Sequence, residues 1–140
     1  MGNLEKTIIE VEVSVNAPLH LVWQKWTNTQ DIKNWNAASI DWHTTKAEND
    51  LRIGGKFTSR MEAKDGSMGF DFWGIYTEIK ENEKIEYTLG DDRKVKIQFS
   101  EKDGITHIIE RFEAETENTI ELQKFGWQAI LNSFKNYVEE

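Results

Sequence analysis

Few residues in this 140-residue chain can move a proton or hold a metal, and their spacing narrows what they can do. The three histidines, His20, His43 and His107, fall on separate segments and form neither an HxxxH nor an HExxH pattern, so no zinc-ligand set converges. There is no cysteine, which excludes disulfides and thiolate chemistry. No Gly-x-Ser-x-Gly elbow is present. Gly54-Gly55 lacks the spacing and the Lys-Ser/Thr of a phosphate loop and reads as a turn. No metal and no cofactor are expected. What remains is acid–base chemistry. His43 stands with Asp41, Trp42 and the nearby Trp35, and a histidine beside a carboxylate among aromatics is a candidate general base. On a strand, Asp41 and His43 would share one side and Trp42 the other, so the pattern allows an Asp–His pair or an inward Trp42. Arg60, Glu62, Asp71, Glu110 and Arg111 interrupt otherwise apolar strands, and solvated outward faces are the plainer account of each. If the protein is an enzyme, His43, Asp71 and Glu110 are the best candidates.

The elements that must position these groups are legible from periodicity. Thr7 to Val15 alternates, with Ile9, Val11, Val13 and Val15 on one side, which predicts a half-buried strand. Asn16-Ala17-Pro18 ends it, and the chain's one proline suits a helix start. Leu19, Val22, Trp23 and Trp26 give a short helical face, and a second short helix is expected over Thr29 to Trp35 with Thr29 as cap. Strands follow around Ile40 to Thr45, Lys56 to Ala63, Met68 to Ile79 with a bend near Gly74, Ile85 to Leu89, Val95 to Phe99 and Thr106 to Glu113. Asp65-Gly66 and Asp103-Gly104 supply the positive φ angles of tight hairpins. Asn118 to Glu140 is the one long amphipathic helix, with Ile120, Trp127, Ile130, Leu131, Phe134, Tyr137 and Val138 on its apolar stripe. So aromatic and wide a stripe requires a broad apolar sheet to lie on.

Composition sets the outer bounds. One domain over residues 1–140 is expected from length, and a chain this size can bury roughly 70% of its extended surface. The net charge of −8 disfavours nucleic acid and anionic membrane surfaces and favours a monomer or homodimer. No apolar run reaches the ~18 residues of a membrane span, so no stable membrane insertion is expected. The acidic N-terminal stretch does not read as a signal peptide, and a cytoplasmic location is expected.

The segments NAPLHLVWQKW, DIKNW, DLRIGGKF, GFDFWGIYTEI and GWQAILNSFKNYVE come in an order that resembles the START-like (SRPBCC) superfamily. Within it they are similar to homologues of the activator of the ninety-kilodalton heat-shock protein's ATPase, over about residues 7 to 139. The run from Trp35 to Phe72 resembles a bacterial branch also labelled polyketide cyclase-like. The sequence departs from the wider family after Trp35, where Asn36-Ala37-Ala38 replaces the second Trp and Gly-Pro of many relatives. The resemblance implies an α+β helix-grip fold: a curved antiparallel sheet of about six to seven strands, two short helices, and a long C-terminal helix enclosing an apolar cavity. It carries no universal catalytic constellation.

The leading expectation is therefore a non-catalytic domain that binds a small hydrophobic molecule of the lipid, polyketide or aromatic class. Its expected ligand-binding residues are Trp35, Trp42, His43, Phe57, Met61, Phe70, Phe72, Tyr87, Phe112, Trp127, Ile130 and Leu131, while Trp23 and Trp26 are expected to be structural. Two alternatives stand beside it: a protein that regulates a chaperone ATPase as its partner, and a cavity enzyme such as a cyclase or hydrolase.

Overall fold

Residues 7–140 are described by the structure, a computed structural model. Strand β1 (Ile8–Val15) leads into helices α1 (Leu19–Thr27) and α2 (Thr29–Trp35). Six strands follow: β2 (Trp42–Asn49), β3 (Lys56–Ala63), β4 (Gly69–Lys80), β5 (Lys84–Leu89), β6 (Lys94–Lys102) and β7 (Ile105–Glu113). Helix α3 (Ile120–Glu139) closes the chain. The strands form one antiparallel sheet in the order β1-β7-β6-β5-β4-β3-β2, the helix-grip arrangement. β1 and β2 are the two edges because the α1–α2 excursion carries the chain across the whole sheet before the hairpins walk it back.

Local chemistry accounts for the joints. Asp103 and Gly104 have φ of 54° and 78°, the paired positive angles of a tight β6–β7 hairpin. Asn28, not Thr29, caps α2, its side chain accepting from the Gln30 amide at 2.9 Å, since one residue earlier places the oxygen over the free N–H groups. Thr119 does the same for α3, accepting from Leu122. β2 begins later than the alternation suggested: Ile40 is 83% exposed, and Trp42 N donates to Ser39 O in a turn. A register shift between Thr44 and Lys46 then restarts the alternation, so that Ala47 and Asn49 rejoin the inner face.

The two edges are gripped differently. α3 lies along β1, where Gln128 and Lys135 donate to the Glu12 and Ser14 carbonyls at 2.9 and 2.7 Å, and Asn16 N donates to Glu139 at 2.7 Å. α2 lies along β2 at the opposite edge. Between α1, α2 and the C-terminal half of α3, the core closes completely: Val22, Ile108, Leu131 and Phe134 have no exposed surface. Trp26, Trp35 and Phe134 meet edge-on or tilted at centroid distances of 4.8–4.9 Å.

Candidate functional site

Toward the N-terminal half of α3 the layers part and enclose a cavity of about 510 Å³. The inner faces of β3, β4 and β5 form one wall because their alternation is in phase. Phe57 and Met61 on β3, Phe70, Phe72 and Tyr76 on β4, and Tyr87 on β5 all turn inward. Gly74 makes room for the Phe57 ring, which lies where a side chain would otherwise start: a Cβ there would sit 2.9 Å from it. Trp127 and Ile130 of α3 form the opposite wall. Trp42 and the half-exposed Phe70, with rings 5.9 Å apart, stand at the rim. The loop after α2 supplies the remaining edge and is tied down: Trp35 O accepts from Ser133, Asn36 O accepts from Thr44, and the Asn36 amide donates to Ser59 at 3.2 Å.

Nine expected residues line this space: Trp35, Trp42, Phe57, Met61, Phe70, Phe72, Tyr87, Trp127 and Ile130. Three do not. Phe112 is buried beneath Trp127, which stacks on it at 3.9 Å and 11° and takes the cavity surface for itself. Leu131 follows Ile130, and one helical step of about 100° turns it from the cavity into the closed core. His43 is excluded by strand alternation, with Trp42 and Thr44 turned inward on either side. Among the described residues, no hydrogen bond or ion pair joins His43 to Asp41. Trp26, expected to be structural only, has one side in the closed core and the other on the cavity. Tyr76, Ile32, Asn49 and Arg93 also line it. Tyr76 was legible, being in phase with Phe70 and Phe72, whereas Asn49 depends on the irregularity in β2.

The interrupting charges sort cleanly. Arg60 pairs with Glu62 at 3.0 Å and with Asp71 at 3.5 Å on the outer face. Arg111 pairs with Glu10 at 2.7 Å and bonds Gln98 at 2.9 Å, also outside. Glu110, its neighbour in sequence, points inward and is only 5% exposed. It makes no hydrogen bond or ion pair with any described residue, yet no buried side-chain oxygen or nitrogen among them lacks a partner, so its carboxyl reaches the cavity space. Burial pushes this acid up to about 8, so near neutral pH it is mostly the uncharged O–H form. Burial also holds the Tyr87 hydroxyl well above its ordinary value, with the Glu110 charge adding to the effect. The Tyr76 hydroxyl is raised by burial and donates to Asn49 at 2.5 Å. No group of three or more potential metal ligands occurs among the described residues. No helix there is long and apolar enough to cross a membrane.

The Activator of Hsp90 ATPase homolog 1-like family model matches residues 16–139. The chain belongs to this family. Among solved structures it is similar to an AHSA1-like protein from Aeromonas hydrophila, at 43% identity with 95% of this chain and 92% of that one covered and a TM-score of 0.90. It is also similar to Chr148 from Cytophaga hutchinsonii, at 51% identity, with 96% and 92% covered and a TM-score of 0.80. A Chromobacterium violaceum protein at 22% identity, with 96% and 99% covered and a TM-score of 0.85, shares the fold. No curated protein matches. In this chain the last helix grips one edge of the sheet and leaves the other to the short helices.

Proposed function

We propose that the protein binds a small hydrophobic ligand in the cavity between its sheet and α3, without catalysing a reaction on it. The observation that carries this reading is the 510 Å³ space itself, with nine aromatic residues on its walls. That volume is within the range of small-molecule sites, and walls of aromatic rings with a few polar groups are what such sites use. Apolar surface left facing a water-filled cleft costs roughly 25 cal/mol per Å², so an apolar occupant is favoured over water.

Native mass spectrometry and tryptophan quenching against lipids, flavonoids and polyketide-like aromatics test the proposal. Trp35, Trp42 and Trp127 lie on the walls, so a bound aromatic will quench them saturably. Absence of saturable binding across all three classes removes the reading.

A protein-partner role is the second reading, favoured by Leu122 and Phe125, which stand 57% and 73% exposed on α3. The matched family's description names activation of a chaperone ATPase. Stimulation of a purified ninety-kilodalton chaperone's ATPase, lost on changing Phe125 to Ser, would favour this role over ligand binding.

A further inference from the structure

We propose that Glu110 and Tyr87 form a donor pair that selects, among apolar molecules, those carrying a carbonyl oxygen, such as an aryl ketone or quinone. This rests on the ligand-binding reading of the cavity and specifies the ligand's chemistry. Both side chains rise from the inner face of the sheet, separated by β6, whose inward residues between them are the apolar Val95 and Ile97. Both reach the cavity, and neither has a hydrogen-bond partner among the described residues. A tyrosine hydroxyl and a protonated carboxyl each present an O–H donor. Both donors open onto the cavity, and an apolar molecule filling it would cut them off from water unless it carried an acceptor oxygen, because a buried polar group without a partner is costly.

The charged alternatives fit less well. A ligand carboxylate would meet Glu110, while Arg93, the one cation on the cavity wall among the described residues, already bonds Asp91 at 2.8 Å and the Glu113 carbonyl at 3.4 Å. A ligand ammonium would have to ionise Glu110 and bury the resulting pair, and such pairs carry a large desolvation penalty. An uncharged acceptor demands neither. The titratable and charged groups that share the cavity with Glu110 are Tyr87 on β5, Tyr76 on β4, Arg93 in the β5–β6 turn and, at the far edge of the sheet, Glu48 on β2, which pairs with Lys46. Its partners across the strands are Val11 and Ile97, and α2 and α3 offer only uncharged side chains to the space. Selection for the carbonyl therefore follows the proton on Glu110.

1-Acetylpyrene and 1-ethylpyrene have nearly the same shape and differ in a C=O for a CH₂, so the ratio of their affinities isolates the oxygen. At pH 6.5 the wild-type ratio, favouring the acetyl compound, is expected to exceed that of Glu110→Leu by about tenfold. Glu110→Gln keeps the preference, because its amide still donates, and Tyr87→Phe loses part of it. Between pH 7 and 9.5 the wild-type preference falls as Glu110 loses its proton, and that of Glu110→Gln stays level. Equal ratios in wild type and Glu110→Leu would overturn the proposal, as would a pH-independent wild-type ratio. Ethylpyrene binding to every variant reports an intact cavity, so loss of carbonyl preference alone sinks only this inference. Failure of both probes on all the proteins removes the aromatic-ligand reading with it.

Discussion

The two ends of the space beneath α3 are built from the same residue types and end up opposite in character. Around Phe134, the rings of Trp26 and Trp35 close against one another and leave no exposed surface on Phe134. Two helical turns away, Trp127 meets Phe72 edge-on at 6.1 Å, yet together with Tyr87 they line an opening. Apolar content does not explain the difference, since both ends are aromatic. Anchoring does: the C-terminal half of α3 is tied to β1 through Lys135 and Glu139, and to α2 through Tyr137, whose hydroxyl donates to Asp31 at 2.5 Å. Toward its N-terminus, α3 is held by Gln128 on the Glu12 carbonyl and by Gln123 on the preceding loop, with no hydrogen bond to β3, β4 or β5 among the described residues. The comparison teaches that an aromatic stripe specifies burial, while the points of attachment decide whether that burial is protein against protein or protein against ligand.

The largest expected effect concerns Glu110, the polar exception at the open end. Its value of about 8 in the folded chain lies above the ordinary carboxyl range, so folding takes up a proton at intermediate pH. The contribution of this group to stability should be greatest below pH 4.5, decline as pH rises to about 8 and level off above it, with a total loss on the order of 4–5 kcal/mol. Denaturant midpoints across this range in wild type and Glu110→Gln measure it, and the variant should lack the slope contributed by this group. Parallel curves would mean that Glu110 is solvated and that the two ends are less different than their geometry implies.

Phe134→Ala tests the closed end. It removes a fully buried ring and should cost about 3–5 kcal/mol in chemical denaturation. Gly126→Ala should instead stabilise by about 1 kcal/mol, because a Cβ there meets nothing within 4 Å and helix propensity improves. The glycine thus permits no close helix contact. It leaves the cavity wall open, and Gly126→Leu should weaken ligand quenching while the thermal midpoint is kept or raised. The smallest stability effect belongs to Phe70→Ala at the rim, within about 1 kcal/mol, with ligand affinity reduced far more than stability. A loss at Phe70 equal to that at Phe134 would break the contrast between the two ends.

Much of this was readable beforehand, for definite reasons. The in-phase alternation of Phe57 with Met61 and of Phe70 with Phe72 needs only the two-residue period of a strand, and it placed those side chains on one face. His43 was expected among the ligand-binding residues, and the same rule turns it outward once β2 is seen to carry Trp42 inward. Phe112 and Leu131 were in phase with the inner face and the helix stripe respectively. Phase alone could not tell that Trp127 would cover the first, or that the second would sit on the core side of α3.

The amino-acid sequence by itself determined the order of elements, the hairpin turns and the amphipathic stripe of α3, while a solvated outward face was the plainer account of Glu110, which the structure turns inward. Those are consequences of local periodicity and turn chemistry, which act over a few residues. Only the tertiary structure decided that Glu110 would remain without a partner while Arg111 found Glu10, and that rings alike in sequence would close at one end and part at the other. Those outcomes depend on how far α3 stands from each strand, a distance set by side-chain bonds between residues more than 100 positions apart.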